Sequence, residues 1–116
     1  MLQRKWRNLR YALAAIAVAW REEPSFRVHV VGSLFLCALG WYVGISRLEW
    51  AFLALALATV LSTEIVNTAI ERIGNALGRE NDPLIGFIKD LGAAAVGIVG
   101  LGALIGVGFI FVPYLW

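Results

Sequence analysis

Three stretches of this chain, residues 26–45, 50–73 and 91–112, are long and apolar enough to cross a bilayer, which takes roughly 20 residues of helix. In hydrocarbon every backbone polar group must be paired within the segment or its neighbours, so three spanning helices are the fold that such runs allow. The middle stretch ends unusually. Residues 50–63 carry no charge, and Glu64-Ile65-Val66-Asn67-Thr68-Ala69-Ile70-Glu71 follows without a break. Spacings of three and four place Glu64, Asn67 and Glu71 on one stripe of a helix. A soluble helix could show that stripe to water at little cost. A helix leaving hydrocarbon must turn its acids toward protein, metal or an aqueous cleft. The uncharged run supplies about 21 Å of helix, which leaves Glu64 within or just beneath the headgroup layer. Two carboxylates and an amide held there suit Mg²⁺ binding and proton transfer.

Composition supports a membrane protein over a soluble domain. A chain of 116 residues that is 60% hydrophobic and 16% charged, with a mean hydropathy of +0.78, lacks the polar surface to cover a globule. A net charge of +2 would also suit a nucleic-acid binder, but the basic residues crowd toward the N-terminus as Arg4, Lys5, Arg7, Arg10, Arg21 and Arg27. That asymmetry is a membrane-surface and topology signal. The single cysteine, Cys37, lies in an apolar run, which excludes an intramolecular disulfide and a thiolate cluster.

Residues 1–22 carry Leu2, Trp6, Leu9, Leu13, Ile16 and Trp20 at helical spacing, with basic and amide residues around them. This pattern predicts an amphipathic helix lying in the headgroup plane. Glu22-Glu23-Pro24-Ser25 breaks it, because Pro24 drives Glu23 out of helical geometry and can itself open the next helix. His29, alone near the start of the first span, reads as an interfacial residue rather than a ligand. Trp41 and Tyr42 fall at the far interface, and residues 46–49 form a short turn. Gly74 and Gly78 are expected to loosen the end of the second span, and residues 79–83 form a hydrophilic turn. The third span is expected to open after Lys89-Asp90. Its glycines, Gly102 and Gly106 among them, read as helix-packing positions and not as a nucleotide loop, since no strand precedes them. Pro113, Tyr114 and Trp116 reach an interface at the end of the chain. The N-terminal segment and residues 72–89 hold the basic residues apart from Arg47, so the positive-inside rule places both in the cytoplasm. Every acid except Glu49 then collects on that side.

The octapeptide Glu64–Glu71, with Lys89-Asp90 opening a Gly/Ala-rich helix, resembles the small bacterial integral-membrane diacylglycerol kinase family, which includes the undecaprenol kinases. The likeness takes in Arg10-Tyr11-Ala12-Leu13, Glu23 with Phe26 and His29, Leu39-Gly40 through Gly44, and Glu49-Trp50, nearly the whole chain as a single lipid-kinase domain. It implies an all-α homotrimer in the bacterial inner membrane, with three transmembrane helices and a surface helix per chain. Its cytoplasmic sites, shared between protomers, would use Mg²⁺ and ATP to phosphorylate a lipid alcohol. By resemblance Glu64 is the catalytic base and Glu23 and Glu71 are the metal ligands. Arg10, Asn67, Lys89 and Asp90 belong to the nucleotide side. That division suits phosphoryl transfer, which depends on alignment and charge neutralisation more than on covalent help. Two departures stand out: Ala15 replaces a frequent glycine, and residues 79–86 lack a frequent Tyr-His, which leaves the adenine contacts open. Phe26-Arg27-Val28-His29 and residues 40–50 resemble the undecaprenol kinase branch, which makes undecaprenol the expected acceptor and diacylglycerol the alternative. A small exporter or a membrane scaffold is the reading from another class. Exporters of this length use four spans with one deep carboxylate, and a scaffold has no use for Glu64 and Glu71.

Overall fold

The computed structural model describes residues 1–115, so the expectation for Trp116 lies outside the described residues. Four helices follow one another: α1 (Leu2–Glu22), α2 (Pro24–Val43), α3 (Arg47–Ala76) and α4 (Pro83–Phe111), the last running into a 3₁₀ turn, Val112–Leu115. α2, α3 and α4 are each long and apolar enough to cross a membrane. No strand occurs among the described residues.

Local chemistry sets each junction. Glu23 sits between α1 and α2 with extended backbone (φ −113°, ψ 99°), as the residue before a proline must, and Pro24 occupies the first turn of α2. α2 ends at Gly44, whose φ of 74° is left-handed and open to glycine at no steric cost. Ser46 then starts α3 with a capping box. Its hydroxyl accepts from Glu49 N at 3.2 Å, and the Glu49 carboxylate accepts from Ser46 N at 2.9 Å. Gly78, at φ 66°, turns the chain after α3. Asp82 caps α4 by accepting from Leu84 N at 2.9 Å, with Pro83 in the first turn.

The third membrane helix therefore begins at Pro83 rather than after Lys89-Asp90. The Asp-Pro cap nucleates two helical turns ahead of the apolar run, and those turns lie against α3. Lys89 and Asp90 are consequently inside α4, on different faces. Gly74, expected to loosen the end of α3, is buried within it: a Cβ there would sit 2.9 Å from Lys89 Cε and 3.4 Å from Ile85 Cγ2. Gly40 likewise admits Ile45 and Trp50 at the α2–α3 hairpin, with distances of 3.0 and 3.1 Å to a Cβ placed on it. Gly102 and Gly106 meet no other helix of the same chain. A Cβ on either would meet nothing within 4 Å, and both line an open groove between α3 and α4.

The buried apolar cluster, Ile45, Leu53, Ile110 and Phe111, is joined by Leu36, Leu39, Trp50 and Val107. It sits at the end of the bundle opposite the Glu64–Glu71 stripe. α3 and α4 pack along their length, while α2 meets α3 more sparingly. α3 spans 30 residues, about 45 Å, which exceeds a hydrocarbon core of about 30 Å. Its last turns, which bear the acids, therefore project into and past the interface. The apolar stripe of α1 stays exposed, with Trp6 63% and Leu13 57% accessible, as befits a helix whose partner is lipid.

Candidate active site at the membrane interface

The α3 stripe predicted from spacing is extended at its C-terminal end and on its flanks. Glu64, Asn67, Thr68, Glu71, Arg72 and Asn75 line one polar cleft of about 330 Å³, closed on the α2 side by Glu23, Ser25 and Phe26. Glu23 reaches it because the α1–α2 elbow is extended there and projects the side chain toward α3.

Glu64 is the one buried charged residue among the described residues, 9% exposed. A buried carboxylate is tolerable only with hydrogen-bond partners, and α2 supplies two. Ser25 Oγ donates to Oε1 at 2.6 Å, and His29 Nδ1 pairs with Oε2. His29, expected as an interfacial residue rather than a ligand, thus meets the first acid of the stripe. Ser25 and His29 are four residues apart, so one face of α2 carries both, and that face is turned to α3.

Glu71 lines the cleft half-buried and makes no ion pair among the described residues. Arg72 holds the elbow to α3 through Glu22 at 2.6 Å and, more loosely, Glu23 at 3.5 Å. These are exposed pairs with modest energetic weight. They raise the Glu23 carboxylate to the cleft rim without saturating it.

α4 contributes no wall to the cleft and packs behind α3, touching two of its residues. Lys89 crosses the bare surface of Gly74, and its ammonium donates to Asn75 Oδ1 at 2.6 Å. Gly92 abuts Asn67, whose buried Oδ1 has no hydrogen-bond partner. Two sequence-predicted residues stay outside. Asp90 is exposed on another face of α4, and Arg10 is exposed on α1; neither lines the cleft or pairs with a residue in it. Ser25, Asn75 and Arg72 were missed. The one signal for Asn75 was its place four residues beyond Glu71. Ser25 and Arg72 enter only when α2 and α3 meet.

Among the described residues no three His, Cys, Asp or Glu side chains converge to hold a metal ion. Mg²⁺ asks for less, since one or two carboxylates with substrate phosphates and water complete its shell. Glu71 and Glu23 fit such a partial shell, whereas the orphaned amide oxygen of Asn67 is packed against Gly92 in the α3–α4 contact.

A second, apolar groove adjoins the polar cleft. Leu13, Ile16, Trp20, Phe26, Leu61 and Ile65 line it, so that Phe26 is a wall of both and Ile65 follows Glu64 in sequence. The arrangement sets an acid-bearing polar cleft beside an apolar groove in a protein with three membrane-length helices. The model of the prokaryotic diacylglycerol kinase family matches residues 10–111, and the chain belongs to that family. A diacylglycerol kinase of Helicobacter pylori (strain 26695) is 33% identical over 85% of this chain and 77% of its own length. That of Escherichia coli K12 is 30% identical over 82% and 78%. The undecaprenol kinase of Bacillus subtilis is 30% identical over 98% of this chain and 93% of its own length. The protein is a membrane lipid kinase with ATP as co-substrate, and the exporter and scaffold readings fall away.

Proposed function

We propose that this lipid kinase transfers the γ-phosphoryl group of ATP to undecaprenol, giving undecaprenyl phosphate, at the cytoplasmic face of the inner membrane. One observation carries the lipid-alcohol chemistry: the polar cleft and the apolar groove meet at Phe26, beside Glu64. A lipid lying along the groove brings its hydroxyl to the acid while ATP enters from water. The choice of undecaprenol rests on the near end-to-end alignment with an undecaprenol kinase and on the Phe26-Arg27-Val28-His29 segment.

Glu64 takes the hydroxyl proton. Its burial beside the groove supports this role for it over Glu71, which lies two turns further along α3. Glu71 and Glu23 would hold Mg²⁺, which when bound offsets the charge of the triphosphate. Lys89, which bonds Asn75 at the end of the cleft, would serve the phosphates from there. The remaining barrier is a matter of alignment, which rigid helices supply well. Arg10 and Asp90 find no role inside one protomer's cleft. We assign them to a cleft completed by a neighbour in a homotrimer, packed through the open groove of Gly102 and Gly106.

The test is ATP-dependent phosphorylation in mixed micelles, with undecaprenol and diacylglycerol offered in parallel. Preference for undecaprenol supports the proposal. Preference for diacylglycerol moves the acceptor assignment and leaves the site intact.

A further inference from the structure

Both carboxylate oxygens of Glu64 are engaged from α2, by Ser25 and by His29. His29 does not line the polar cleft. It lies one turn deeper along α2 than Ser25, on the bilayer side of the acid, with its side chain 38% exposed. Ser33 Oγ donates to the His29 carbonyl at 2.7 Å, one turn further on. The chain contains one histidine.

Resting on the kinase reading above, we infer that His29 is a positioning residue for Glu64. The neutral imidazole donates Nδ1–H to Oε2 and fixes the rotamer of the carboxylate. Ser25 occupies one lone pair of Oε1 and leaves the other for the incoming hydroxyl. In the reaction the alcohol O–H bond breaks and its proton passes to Glu64. The alcohol oxygen bonds to Pγ as the bond from Pγ to the leaving ADP oxygen breaks. The proton then leaves Glu64 for water through the cleft. His29 neither gains nor loses a proton.

The reverse dyad, in which Glu64 orients His29 as the base, predicts something different and is separable by substitution. His29→Asn places an amide N–H close to the position of Nδ1, whereas His29→Ala leaves Oε2 without its donor. Steady-state kinetics on folded protein of verified oligomeric state should give a kcat about 10- to 100-fold lower for His29→Ala, the scale of a lost hydrogen bond to a charged group. KM for Mg-ATP should stay unchanged, and His29→Asn should recover most of the loss. Ser25→Ala should lower kcat less. A His29→Ala enzyme within threefold of wild type overturns the inference, as does a loss confined to KM. A His29→Asn enzyme as poor as His29→Ala assigns the proton to His29 itself and also overturns it.

A second measurement does not depend on turnover. In protein labelled with ¹⁵N-histidine the single imidazole should show Nδ1 protonated and Nε2 bare at neutral pH, and Glu64→Gln should perturb the Nδ1 signal. The opposite tautomer refutes the inference whatever the acceptor lipid. Wild-type protein that phosphorylates neither lipid, with the expected tautomer, instead condemns the kinase reading and reduces the pair to a structural contact.

Discussion

Replacing Gly92 by alanine tests how the site is built more sharply than removing an acid would. A Cβ added there would lie 3.3 Å from Asn67 Cγ, 3.6 Å from Ile70 Cδ1 and closer still to Asn67 Oδ1. Relieving that overlap means turning the Asn67 side chain or spreading α3 from α4. Overpacking of this kind costs about 1–3 kcal/mol. Alanine returns about 1 kcal/mol through its better helix propensity, so the net loss should be about 1 kcal/mol. Gly97→Ala in the same helix is the control, since its Cβ meets nothing within 4 Å. It should be neutral or stabilising by up to about 1 kcal/mol, leaving the two alanines about 2 kcal/mol apart. The assay is unfolding in dodecyl maltoside with increasing SDS, run beside Mg-ATP binding. Gly92→Ala should also weaken nucleotide binding by displacing Asn67, and Gly97→Ala should not. Adding Asn67→Ala to Gly92→Ala removes the obstacle, so the double variant should recover stability lost by the single. If Gly92→Ala were as stable and as tight for nucleotide as Gly97→Ala, the close approach of α4 to Asn67 would be refuted.

Glu64→Gln preserves size and helix propensity but removes the base, so single-turnover phosphorylation should fall by about 10²-fold or more while Mg-ATP binding survives. Glu71→Gln should instead weaken Mg-ATP binding, and a reversal of this pattern in parallel binding and single-turnover assays would exchange the two roles. Ser46→Ala breaks the capping box and should lower unfolding stability by about 1 kcal/mol without changing KM for either substrate. Mixed oligomers of Glu64→Gln and Glu71→Gln chains should regain some activity if clefts are completed across protomers, and verified mixed oligomers without any rescue would confine each site to one chain.

The sequence by itself determined the class of fold. Three apolar runs of membrane length admit only helices, and Glu23-Pro24, Gly44, Ser46-Glu49 and Asp82-Pro83 mark their ends by rules that act within a few residues. It also determined the Glu64, Asn67 and Glu71 stripe, since residues three and four apart share a helix face wherever that helix packs. Even here local signals competed. Lys89-Asp90 looked like the end of a loop because charges rarely begin a span, yet the cap at Asp82 started α4 two turns earlier. Only the tertiary structure decided which neighbours the stripe would meet. His29 was one polar residue at an interface until α2 folded against α3 and set it on Glu64. Nothing local set Gly92 apart from the other glycines of α4 or marked Gly74 as a contact, yet they admit Asn67 and Lys89, while Gly102 and Gly106 face open space. Such pairings join residues 15 to 39 positions apart on different helices. Helical periodicity sets which face a side chain occupies, but the rotation and approach of one helix against another depend on the packing of both, and no single segment encodes them.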